Sequence, residues 1–99
     1  MKYKLVIKPL AEVDLKEIAN WYESKKPGLG LAFLEAVDSK IQLLTTNPKT
    51  YQKRYRETRL TLVKKFPYAI HYTLEKNLIY VHAVLSTSRN PKIWNDRTN

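Results

Sequence analysis

Four side chains in the C-terminal half of this sequence could do chemistry: Arg59, His71, His82 and Arg89. Histidine can take up or deliver a proton near neutral pH. A guanidinium group neutralises and orients anionic oxygens, phosphate above all. Such a set suits proton exchange beside an anionic group, or simple grip on a polyanion. Its usefulness depends on whether the backbone brings the four to one surface. A strand histidine is otherwise an ordinary packed or surface residue. Two histidines are too few for a metal site, which needs three or four ligands in compatible geometry, and no metal or other cofactor is expected.

The stretch Arg59 to Pro91 must do the positioning. Leu60 and Leu62 alternate with Arg59, Thr61 and Val63. Ile70, Tyr72 and Leu74 alternate with Ala69, His71 and Thr73. Ile79, Val81, Ala83 and Leu85 alternate with Tyr80, His82 and Val84. Period-2 alternation predicts three strands with one buried and one wetter face. Glu75-Lys76-Asn77 is a short polar turn that suits a hairpin. Pro67 bends the connection between the first two strands. On this reading the wetter face carries Arg59, Thr61, His71, Tyr80 and His82 together.

The preceding residues supply a cover. Residues 2 to 8 alternate as a short edge strand whose lysines discourage further pairing. Pro9 suits a first helical position, and Ala11, Leu15, Ile18 and Tyr22 follow at helical spacing to an end near Ser24 to Lys26. Lys26-Pro27-Gly28-Leu29-Gly30 holds both glycines of the chain and breaks the helix. Leu29, Phe33, Val37, Ile41 and Leu44 form the seam of a second helix, with Ala32 and Ala36 beside it, and Thr45-Thr46-Asn47-Pro48 stops it. A break this short predicts antiparallel helical neighbours. The expected order is β-α-α-β-β-β, an α+β fold with an antiparallel sheet packed against a helical hairpin. Trp21 and Trp94 are expected as packing anchors, and residues 92 to 99 as a tail.

The chain has 99 residues, enough for one domain spanning 1–99 with its own core. It has no cysteine, hence no disulfide framework. It shows no signal peptide and no membrane-spanning run, so a cytoplasmic location is the expectation. The net charge is +9. Residues 1 to 48 carry seven basic and six acidic side chains, a net of +1, whereas residues 49 to 99 carry eleven and three, a net of +8. That asymmetry favours a polyanionic partner, nucleic acid or an acidic protein segment. Lys53, Arg54, Arg56, Lys64 and Lys65 are the expected contacts. Residues 49 to 58 interleave Tyr51 and Tyr55 with the cations. Those rings could stack on nucleobases, or they could pack down on the sheet.

Several short patterns recur in a family-like order: Ala11…Asp14-Leu15…Ile18, Trp21-Tyr22-Glu23, Pro27-Gly28-Leu29-Gly30 before Phe33, Asn47-Pro48, Lys65-Phe66-Pro67-Tyr68, and Ala83-Val84-Leu85 leading to Ser88-Arg89-Asn90-Pro91 and Trp94. In this series the chain resembles the RelE/ParE superfamily, the toxins of type II toxin–antitoxin modules, also described as plasmid-stabilisation proteins. The resemblance runs nearly end to end. It implies a growth inhibitor neutralised by a cognate antitoxin, in a toxin–antitoxin hetero-oligomer. ParE-like members bind DNA gyrase. RelE-like members cut mRNA on the ribosome without a metal. That reaction needs a base for the 2′-hydroxyl, charge on the pentavalent phosphate and an acid for the leaving 5′-oxygen.

Arg89 matches by position the arginine that RelE-like nucleases carry after the last strand. Where they place an arginine at the start of the middle strand, this chain has Tyr68 or Ala69, and its last residues, Arg97-Thr98-Asn99, lack their tyrosine or histidine. The helical hairpin and Trp21-Tyr22-Glu23 look ParE-like. Gyrase binding is therefore the expected activity. A ribosome-dependent endoribonuclease using Arg89, Arg59, His71 and His82 is the alternative, and a degenerate toxin that only binds antitoxin and regulates its operon is a third reading.

Overall fold

Strand β1 (Lys4–Ile7) leads into helices α1 (Pro9–Lys25) and α2 (Leu29–Thr46), a 3-10 turn at Pro48–Thr50, and strands β2 (Lys53–Tyr55), β3 (Thr58–Leu62), β4 (Tyr68–Glu75) and β5 (Leu78–Ser86). The computed structural model describes residues 3–88. The five strands make one sheet in the order β1-β5-β4-β3-β2, with both helices on one face. Trp94, Arg89 and the tail lie outside the described residues.

The α+β class and the helical hairpin match the expectation, with two refinements. β1 joins β5 in parallel, with Leu5 opposite Ile79 and Ile7 opposite Val81, so the sheet is mixed. Alternation reports which face is buried, not which way the neighbouring strand runs. A further short strand, β2, pairs antiparallel with β3 inside the segment expected as a basic loop. Three residues are too few to display a period.

Local chemistry explains the hairpin. Pro9 opens α1, where a missing N–H costs nothing. Lys26 closes it by donating its N–H to Tyr22 O, and Pro27 follows. Gly28, at φ +89°, turns the chain in the left-handed region that glycine favours. Helix α2 then starts with neither a capping side chain of its own nor an acid in its first turn. Glu23 of α1 supplies both. Its carboxylate accepts from Gly28 N–H at 2.9 and 3.1 Å and from Gly30 N–H at 3.0 Å. Negative charge at a helix N-terminus also opposes the helix dipole. Trp21-Tyr22-Glu23 and Pro27-Gly28-Leu29-Gly30 are thus two halves of one elbow.

The core lies between the hairpin and the sheet. Ala11 and Ala19 of α1 and Phe33, Val37, Ile41 and Leu44 of α2 meet Val63, Ile70, Tyr72, Ile79, Val81 and Val84. Tyr22, Phe33, Phe66 and Tyr68 form an aromatic cluster with ring centroids 5.0–6.2 Å apart. It fastens the Phe66-Pro67-Tyr68 connection to the helical elbow. Trp21 is not the anchor expected of it. It is 55% exposed, touching Tyr22 edge-on and carrying the Lys25 ammonium 4.9 Å above its ring.

Candidate functional site

The sheet register decides which side chains share a surface, and it separates the expected constellation. Arg59 lies opposite Tyr72 and Thr61 opposite Ile70, so both belong to the helix-facing side. His71 lies opposite Leu60 and Ala83, on the other side. The expectation that Arg59, Thr61, His71, Tyr80 and His82 form one wet face is therefore corrected: β3 presents Thr61 to the core, as does Val63 just after it, and turns Leu62 outward, 62% exposed. Pairing with the aligned core residues of β4 outweighs the greater apolarity of the leucines. In β5 the register shifts opposite His71 and Tyr72, which reverses the alternation beyond His82. Val84 thereby enters the core, while Ala83 and Leu85 are buried on the outer side.

His71 is fully buried, its Nδ1 2.9 Å from the Tyr55 hydroxyl. His82 is half-buried, its Nε2 2.8 Å from Thr73 Oγ1. Arg89 lies outside the described residues. The outer face beside His71 is built from Leu60, Leu62, Ala69, Ala83 and Leu85, while Lys8 reaches the Tyr80 and His82 end, its ammonium 5.6 Å from the Tyr80 ring centre. Tyr51 and Tyr55 pack down rather than standing free: Tyr51 lies against the core with Lys40 5.9 Å from its ring centre, and Tyr55 meets His71. Among the described residues no three His, Asp or Glu side chains converge as metal ligands.

Burial, reinforced by the Lys8 ammonium, holds His82 below its ordinary value of 6.5. The unfolded chain therefore binds a proton that the folded protein resists, so the His82 contribution to stability is complete above 6.5 and is lost as pH falls below it. Urea midpoints taken on either side of that pH are expected to show this decline, and His82→Gln is expected to flatten it. An equal slope in wild type and variant would assign the decline to other groups.

Three of the five expected binding residues divide between two surfaces on the helix side. Lys64 and Lys65 rim a groove of about 780 Å³ whose apolar walls are Leu29, Ala32, Ala36, Leu43 and Phe66, with Lys40 as a third cation and Glu35 as its acid. Lys53 belongs instead to a cleft of about 460 Å³ shared with Lys49, Glu57, Arg59, Leu74 and Lys76. Sequence reasoning missed Lys49 and Lys76 because they sit 27 residues apart, on a 3-10 turn and a hairpin turn. Arg54 and Arg56 are exposed on and beside β2, lining neither.

Backbone conformation offers one signal. Arg56, Lys65 and Lys76 all have positive φ, at 49°, 73° and 54°. Each stands in a turn between strands, where glycine or asparagine would be the less strained choice. Every such non-glycine position in the described residues is basic.

A family model described as the ParE toxin of the type II toxin–antitoxin system parDE matches residues 5–91. No curated protein matches the chain. Among solved structures, the fold is similar to a chain of the chromosomal ParDE TA system from P. aeruginosa, with a TM-score of 0.75 and 15% identity, covering 86% of this chain and 96% of that one.

Proposed function

Because the chain belongs to the ParE toxin family of type II toxin–antitoxin systems, we propose that it arrests growth by binding DNA gyrase, and that a cognate antitoxin neutralises it. The observation carrying this reading is the outer sheet face. A phosphate-cleaving site needs cations and proton donors on one accessible surface. Here Arg59 and His71 lie on opposite faces, and His71 is fully buried between Leu60 and Ala83. Binding, not bond cleavage, is what such a surface supports. Gyrase acts in the cytoplasm, so the proposal places the chain there. No helix of the described residues is long and apolar enough to cross a membrane.

The groove along α2 suits the antitoxin. Its apolar walls and its rim of Lys40, Lys64 and Lys65 complement an acidic amphipathic segment. The double charge reversal Lys64→Glu/Lys65→Glu is expected to weaken the antitoxin complex by about tenfold or more while leaving growth arrest intact. Titration calorimetry with the purified pair checks the first, and induction without antitoxin checks the second. An unchanged Kd would place the antitoxin elsewhere.

Mapping RNA 5′ ends within minutes of induction tests the proposed mode of action in cells. Growth arrest with no new ends inside translated codons is expected. New ends in codons would overturn the gyrase reading in favour of the nuclease.

A further inference from the structure

The cleft between the 3-10 turn, the β2–β3 hairpin and the β4–β5 turn has no part in the antitoxin groove. Four cations line it, Lys49, Lys53, Arg59 and Lys76, against one carboxylate, Glu57. That carboxylate is taken up by Lys53 in an ion pair of 2.7 Å. Arg59 is half-buried and held from behind, its Nη1 donating to Tyr51 O at 2.6 Å. A guanidinium fixed in this way has lost its rotamer freedom before any ligand arrives. Lys76 reaches the cleft from the first position of a two-residue turn, at φ +54°. Its ammonium thus stands at the cleft's edge although the positive φ there would favour glycine or asparagine.

We propose that this cleft binds the phosphate backbone of duplex DNA. An acidic peptide fits it less well, because Leu74 is the sole apolar wall and a peptide segment needs apolar anchors. Single strands fit less well too, since Tyr51 and Tyr55 are engaged with the protein and offer no stacking platform. What remains is a cluster of cations against a backbone of regularly spaced charge, recognition without sequence preference. The inference goes beyond the gyrase reading: it concerns the toxin and DNA alone, and it stands or falls without gyrase present.

The test is fluorescence anisotropy with the full chain and a labelled duplex, repeated across a salt series. Lys49→Gln/Lys53→Gln/Lys76→Gln removes three cleft charges. Lys16→Gln/Lys25→Gln/Lys26→Gln removes three exposed charges from α1 and its end, and serves as the control. The cleft variant is expected to bind about tenfold or more weakly, with a salt slope shallower by about two to three, while the control stays near wild type. Lys76→Gly is expected to weaken binding without lowering the urea midpoint, because it removes the charge and relieves the positive φ together. Equal losses in both triple variants would show attraction to the whole basic surface and overturn the cleft. So would no binding by wild type at low salt, or displacement of the duplex by polyglutamate at equal charge concentration.

Discussion

Phe33→Ala is expected to cost the fold about 3–5 kcal/mol. Phe33 is fully buried at the junction of three elements, stacked on Tyr22 at 5.7 Å and edge-on to Phe66 and Tyr68 at 5.3 and 5.6 Å. Its removal leaves a cavity that two helices and a turn cannot all close. Unfolding in urea measures the loss. Trp21→Ala is the comparison: the larger ring is more than half exposed and should cost far less. A Phe33→Ala loss below about 1 kcal/mol would mean that the cluster relaxes freely and does not hold the elbow to the sheet. Phe66 also walls the α2 groove, so the variant is expected to bind antitoxin more weakly as well.

Gly30→Ala should be the next most damaging change, by about 1–3 kcal/mol, although alanine is the better helix former. A Cβ built at Gly30 falls 2.5 Å from the Ala19 carbonyl oxygen and 3.1 Å from Glu23. The first neighbour is backbone and cannot rotate away, so α1 and α2 must separate. Separation also pulls Glu23 from the N–H groups it caps. The propensity gain of about 1 kcal/mol works the other way, so a stabilised variant would show that the helices part without cost. Gly28 has open space around it, and its constraint is the positive φ alone.

The helices were legible because their signals are local and redundant: Pro9 at the start, the Phe33-Val37-Ile41-Leu44 seam, Asn47-Pro48 at the end. The three long strands were legible for the same reason. What failed was parity. In β3 both alternating sets contain apolar residues, and only pairing with Ile70 and Ala69 decides which is inside. In β5 the irregularity beyond Val81 reverses the faces without any glycine or proline to mark it. A one-residue change of phase moves every side chain across the sheet, and the Arg59–His71 constellation did not survive it. The Glu23 cap was present in the motif series, but its meaning required the elbow to be closed in three dimensions. The basic cleft was hidden because its members come from three separate turns.

Inhibition of gyrase is the central claim, and supercoiling of relaxed plasmid by purified bacterial gyrase tests it most directly. Added chain is expected to inhibit supercoiling in a dose-dependent way, with relief on addition of antitoxin. Lys64→Glu/Lys65→Glu should still inhibit but resist that relief. Undiminished supercoiling at saturating concentrations of folded chain would contradict the account.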